Sequence, residues 1–206
     1  GNYWFNKRHL DHLSEWEEVK DVGPILVISG SCSPVTSAQI NYALGNGFKE
    51  IAIDTEKIAL EGAADKYIED YIDEAVRQLE NNFDVIIHTS SGNEDERVKK
   101  TEEIFRDKGI ARTETSLLYG TTLGHIAQSV ARRTGLKRIV IAGGDTSSYA
   151  ARAMGIEAVE MIAPLAPGAP LCKAHAPGSA IDGLEVNFKG GQVGKEDYFN
   201  MVKGKK

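Results

Sequence analysis

Three short segments hold residues of the kind that bind anions. They are Gly30-Ser31-Cys32-Ser33-Pro34-Val35-Thr36, Thr89 to Asn93, and Gly143-Gly144-Asp145-Thr146-Ser147-Ser148. Each follows an apolar run and precedes a stretch with helical spacing. Small residues in such a place let backbone N–H groups approach an anion, and a helix start behind them adds partial positive charge. The Gly143 segment is the sharpest of the three. Its glycines permit close approach and its hydroxyls suit phosphate oxygens. The same Asp, Thr and Ser also read as a plain helix cap. Asp145 would repel a bare phosphate, so it either turns to cap the helix or shares a Mg2+ with the ligand.

A fourth segment, Lys189-Gly190-Gly191-Gln192-Val193-Gly194, sets one cation beside flexible glycines. It reads as a point charge for phosphate or as a hairpin with a solvated lysine. Other reactive side chains are scattered. His9 and His12 have no third ligand nearby, which fits a surface helix. His88 ends an apolar run, and packing is the commoner fate of such a residue. His125 and His175 lack a recognisable partner. Cys32 sits at a helix start, a position that lowers a thiol pKa, but no base is near it in sequence. No metal site and no catalytic group stands out. Neither G-x-x-x-x-G-K-[ST] nor G-x-G-x-x-G after a strand is present. Their absence argues against a P-loop NTPase and a dinucleotide dehydrogenase.

The elements that must position these segments can be read from periodicity. Pro24 to Gly30, Phe48 to Ile53, Asp84 to Ser90 and Arg138 to Ala142 are short apolar runs of the buried-strand type. Helices are expected from Thr36 to Leu44, over Tyr67 to Leu79, around Val98 to Phe105, over Leu117 to Ala131, and from Ser147 to Met154. Beyond Gly155 the texture changes. Ile156 to Ile162 reads as a strand, and Pro164, Pro167, Pro170 and Pro177 suggest loops and short edge strands. Leu184 to Phe188 is a late strand, Glu196 to Val202 a closing helix, and Lys203 to Lys206 a solvated tail. Leu10 to Val19 reads as a short helix or arm. Alternation of strand and helix implies an α/β fold with a mostly parallel sheet and helices on both faces, a Rossmann-like three-layer sandwich. Residues 1–23 are expected to be an arm or linker and 24–206 one domain.

Composition narrows the classes. The 206 residues hold 24 Lys and Arg against 30 Asp and Glu, a net charge of −6, which argues against a nucleic-acid partner. The hydrophobic fraction of 41 % suits a packed core. No apolar run reaches the ~18 residues of a membrane span, and no leader pattern is present, so a cytoplasmic place is expected. Two distant cysteines, Cys32 and Cys172, fit a reducing compartment.

Ser29 to Thr36, Gly143 to Ser147 and Lys189 to Phe199, taken in that order, resemble the nucleotide-binding C-terminal domain of the four-carbon acid sugar kinases. Ala166-Pro167-Gly168-Ala169-Pro170 resembles the loop between the last two motifs, and the resemblance spans roughly 24 to 202. It implies an ATP-dependent phosphotransferase acting on acids such as threonate, erythronate or 3-oxo-tetronate, with Mg2+. It implies ATP contacts at Ser31, Ser33, Gly143, Gly144, Asp145, Thr146 and Gly191, with Lys189 as the cation among them. Gln192 and Val193 stand where the family has Asn and Phe. The family's Asp-Asp-x-Thr-Gly motif, in a separate N-terminal sugar-acid domain, has no counterpart here. With Gly1 at its start, the chain reads as the C-terminal half of a longer kinase, inactive by itself and possible as a homodimer. The alternative is a non-catalytic sensor of small molecules or sugar phosphates on the same fold.

Overall fold

The computed structural model describes residues 18–61, 65–92 and 95–204. One seven-stranded sheet takes in every strand among them. The strands are β1 (Leu26–Ser29), β2 (Lys49–Ala52), β3 (Val85–His88), β4 (Arg138–Ala142), β5 (Ala158–Ala166), β6 (Ala169–His175) and β7 (Glu185–Lys189), in the order β2-β3-β1-β4-β7-β6-β5. The first five in that order run parallel; β6 and β5 run antiparallel to their neighbours. The helices are α1 (Pro34–Gly45), α2 (Thr55–Glu61), α3 (Asp65–Glu80), α4 (Glu96–Asp107), α5 (Arg112–Arg133), α6 (Asp145–Ala153) and α7 (Tyr198–Lys203).

The runs that form β1, β3 and β4 are buried on both faces, whereas β2 at the sheet edge buries only Ile51. Alternate residues of β1, β3 and β4 feed two separate cores. Leu26, Ile28, Val85, Ile87, Ile139 and Ile141 pack with α3, α5 and α6. Val27, Ile86, Val140 and Ala142 pack with Ile40 and Ala43 of α1 and with Phe199 and Val202 of α7. The period of two along each strand thus builds a helix–sheet–helix sandwich, as expected. Helix α5 lies unusually close to α6. A Cβ at Gly120 would sit 2.6 Å from Thr146 O, and one at Gly124 would sit 2.5 Å from Ala150 O.

Several expectations need correction. Within the proline-rich stretch Pro167 and Pro177 lie in turns and β5 is an edge strand, as expected, but the strands are not short: β5 and β6 form a hairpin of nine and seven residues. Its register shifts between Met161 and Ala163 and again between Ala163 and Ala166, so Pro164 sits at irregularities where no ladder donor is needed. Helix α6 begins at Asp145 rather than Ser147. The expected tail is not solvated at its start: Lys203 is 5 % exposed, and its Nζ donates to Asp84 Oδ2 at 2.6 Å. Asp84 also accepts from Ile25 N at 3.0 Å, so this pair fastens α7 to the amino ends of β1 and β3. Nearby, buried Arg138 pairs with Glu185 and donates to Val202 O at 2.6 Å. Of the expected helix over 10–19, only Glu18 and Val19 lie within the described residues, and they are not helical.

Candidate functional site

The carboxyl ends of β1, β4 and β7 are adjacent and level. Ser29 is in register with Ala142, and Ala142 with Lys189. Just beyond, Gly30 N donates to Ala142 O at 3.0 Å and Gly143 N to Lys189 O at 2.9 Å. After β1 the chain turns to α1 on one face, and after β4 to α6 on the other. A crevice therefore opens between these two strands, the position at which open parallel sheets take ligands.

All eight residues singled out in sequence meet here. Ser31 is buried, and its Oγ accepts from Ser33 N at 3.2 Å. Ser33 Oγ accepts from Val35 N at 3.2 Å as the cap of α1. Neither bond uses the hydroxyl proton. A Cβ at Gly191 would lie 2.9 Å from Ser31 Oγ and 3.1 Å from Ser33 Cβ, so the loop after β7 rests on the loop after β1 and only glycine allows it. A Cβ at Gly30 would lie 2.3 Å from Thr146 Cγ2, which binds the β1 loop as closely to α6.

The Gly143 segment is not a side-chain cap. Gly144 is the cap residue of α6, and no side chain bonds the first N–H groups. Thr146 Oγ1 donates to Gly30 O at 3.4 Å and Ser147 Oγ to Gly143 O at 2.9 Å. Both hydroxyls therefore turn to carbonyls; Ser147 N donates to Gly144 O at 3.0 Å, and the amides of Gly144 to Thr146 face a ligand. Gly143 has φ of 148°, and space around a Cβ at Gly144 is open to 4 Å. Asp145 is exposed at the first position of α6.

Lys189 is not a solvated hairpin lysine. It is 1 % exposed, beneath the loop it precedes. Its Nζ donates to Thr36 Oγ1 at 2.9 Å and to Gly190 O at 3.0 Å. Burial pushes its pKa down to about 8, and among the described residues no carboxylate pairs with it. Thr36, which closes the first segment, and Gln39 were not singled out as site residues in sequence. Thr36 Oγ1 donates to Gly191 O at 2.9 Å, and Gln39 Nε2 donates to Val193 O at 3.0 Å and Lys195 O at 2.9 Å. The available signal was their place at i and i+3 before Ile40 and Ala43, two polar residues on the buried face of α1.

A cleft of about 750 Å³ starts at this crevice. Gly30 to Cys32 and Gly144 to Thr146 line its near end, and residues of α4 and α5, with Thr55 of α2 and Gly109 and Ile110 of the intervening turn, line the rest. Ser33, Gly143, Lys189 and Gly191 lie outside its wall. Thr89 and Ser90 line it too, but their loop is internally bonded. Ser90 Oγ accepts from Gly92 N at 2.9 Å, and Asp95 Oδ2 accepts from Ser91 N at 3.0 Å. Arg97 beside Asp95 holds that carboxyl well below the usual carboxylate range. His88 is fully buried and shares a 2.8 Å bond with Glu50 Oε1. His125 and His175 are exposed, and His9 and His12 lie outside the described residues. Among the described residues no three His, Cys, Asp or Glu are grouped to hold a metal, and no helix is long and apolar enough to cross a membrane.

The sequence model described as the nucleotide-binding C-terminal domain matches residues 26–199. The chain is 37 % identical over 184 residues to a 3-oxo-isoapionate kinase of Paraburkholderia graminis, covering 88 % of this chain and 39 % of that protein. It is 26 % identical to a D-threonate kinase of Salmonella typhimurium, covering 84 % and 40 % respectively. It is 28 % identical to a 3-oxo-tetronate kinase of Pseudomonas fluorescens, covering 90 % and 39 %. The chain thus spans about two fifths of the length of these curated relatives. The fold is shared with a Haemophilus influenzae protein at a TM-score of 0.69 and 22 % identity, over 93 % of this chain and 42 % of that one. It is shared with a Bordetella bronchiseptica domain, crystallised with citrate as a domain-swapped dimer, at a TM-score of 0.64 and 18 % identity, over 88 % and 40 %.

Proposed function

This chain belongs to the nucleotide-binding C-terminal domain family, and on that premise we propose that it is the ATP-binding lobe of a kinase for four-carbon sugar acids. The observation that carries the reading is the convergence of three loops on one anion-shaped crevice. They bring two hydroxyls with free protons, the open amides of α6, and a buried ammonium without a counter-charge. Ser31 and Ser33 donate to phosphate oxygens, and so do the amides from Gly144 to Thr146. Gly191 contributes backbone, and Lys189 supplies charge from below. Phosphoryl transfer is mostly positioning and charge stabilisation, and donors of this kind serve both.

Asp145 fits a Mg2+ carried in with the nucleotide. Its carboxylate is exposed at the crevice, it caps nothing, and such an ion needs only one or two protein carboxylates beside the phosphates. Bound there, the ion neutralises charge on the phosphates. The sugar acid is held by the part of the longer relatives that this chain does not match, and the cytoplasm is the place of action.

Calorimetric titration with Mg·ATP, ADP and NAD tests the reading. Binding of ATP and ADP with no response to NAD is expected. Silence toward ATP and ADP, or binding of sugar phosphates alone, would sink it.

A further inference from the structure

We propose that the nucleoside end of the donor occupies the slot between α4 and α5, so that the terminal phosphate points out past Ser33 and Gly191. The inference rests on the ATP-binding reading and adds the direction in which the nucleotide lies.

The cleft is continuous from the anion loops to this slot. Val98, Phe105, Ile110 and Tyr119 wall the slot with apolar surface. Phe105 and Tyr119 meet edge to face, 5.9 Å between centroids at 71°. The Tyr119 hydroxyl is committed to Thr55 O at 3.0 Å, so Tyr119 offers only its ring to a ligand. Flat apolar walls suit a base, whereas a small hydroxy acid needs clustered cations. The slot has one cation on its wall, Arg106, which is exposed, and Glu102 lies one helical turn before it. A cleft of about 750 Å³ is also far larger than a four-carbon acid requires and lies within the range of nucleotide-sized sites.

The direction follows from which anion groups line the cleft and which do not. Ser31 and the start of α6 line it, while Ser33 and Gly191, which rest against Ser31 from the far side, do not, and Lys189 is buried beneath them. A phosphate chain that starts in the cleft reaches the second set only by leaving it. The reverse orientation would set the base on the Gly190–Lys195 loop. That loop offers no apolar wall: Val193 packs inward on the α1–α7 core and Gln192 is exposed. The acceptor must therefore approach from the Ser33–Gly191 side.

Ser116, half-buried on the slot wall, is the residue to enlarge. Ser116→Trp is expected to abolish adenosine binding and weaken ADP at least tenfold, with inorganic tripolyphosphate held within twofold of wild type. In the wild-type chain, photolabelling with 2-azido-ADP is expected to mark peptides from 98–119. That second measurement stands even if the tryptophan variant does not fold. Label on 190–195, or a folded Ser116→Trp with unchanged ADP affinity, would overturn the placement alone. A wild-type chain that ignores ADP would overturn the nucleotide reading and the placement together.

Discussion

Lys189 and Thr36 meet ammonium to hydroxyl at 2.9 Å, and the Thr36 hydroxyl donates in turn to Gly191 O, also at 2.9 Å. The glycine that must lie against Ser31 and Ser33 is thus held by a charge buried beneath it. That charge has a hydroxyl and a carbonyl as partners and nothing negative among the described residues.

Nucleotide affinity should therefore depend on pH. Burial places the Lys189 pKa at about 8, against ~10.4 for a free lysine. The unfolded chain holds this proton to higher pH than the folded one. Folding is penalised below pH 8, and the penalty fades as pH rises toward the unfolded value. A bound phosphate favours the ammonium, so ADP affinity should fall roughly tenfold between pH 7 and 9.5, the equivalent of about one pKa unit. Calorimetry at the two pH values is the check. Lys189→Met should remove the dependence and weaken ATP more than adenosine. Equal loss for both ligands would assign Lys189 a structural role only.

Gly144→Val should remove nucleotide binding while the protein stays folded. No atom lies within 4 Å of a Cβ there, so the core is untouched. Gly144 has φ of −90° and ψ of −107°, outside the regions open to other residues. Strain of about 1–3 kcal/mol then falls on the loop. Lost hydrogen bonds to a charged group cost about 1.5–3 kcal/mol each, so ADP affinity should drop at least tenfold. A folded variant that binds ADP like wild type would remove this loop from the site.

The Asp84–Lys203 pair should matter for stability and not for the ligand. It lies at the amino ends of the strands, opposite the crevice. Lys203→Met leaves a buried carboxylate unpaired, a loss of about 3–5 kcal/mol. Urea denaturation should show it, with ADP affinity preserved in the folded fraction. A loss under 1 kcal/mol would mean that water already reaches the pair.

Much of this was legible in sequence where the pattern was local. The β-branched runs ending at Ser29, His88 and Ala142 are strands, and the small residues beyond two of them form the crevice. What escaped was decided by distant partners. Lys203 reads as a tail because Asp84, its partner, lies 119 residues away. The burial of Lys189 does not show in sequence, where it reads as a phosphate charge or a solvated lysine, because Thr36, which accepts from it, lies 153 residues away. Helix α2 has only seven residues, too few for a period to show. Prolines suggested loops and short edge strands from Pro164 onward because the irregularities that tolerate Pro164 have no sequence mark.

The chain alone should bind nucleotide without phosphorylating a sugar acid at a useful rate. Holding two substrates together can supply roughly 7–11 kcal/mol of a barrier, and the described residues offer loops for one. A coupled ADP-release assay with threonate, erythronate and their oxo forms decides it. Robust turnover by the 206 residues would refute the proposed division of labour.

Strand β7 is the last strand among the described residues, yet it lies between β4 and β6 in the interior of the sheet. The sheet cannot grow outward in the order of synthesis. The β5–β6 hairpin emerges from the ribosome before the strand that joins it to β4, and must wait with one edge unpaired. Pairing β7 closes loops of well over 40 residues to β4, the kind of long-range contact that slows folding. Lys189 and Gly191 arrive with that strand, so the crevice is complete only once β7 has paired with β4. A ligand that needs both halves of it can recognise only chains in which β7 is paired, and stabilises them over the unfolded chain by mass action.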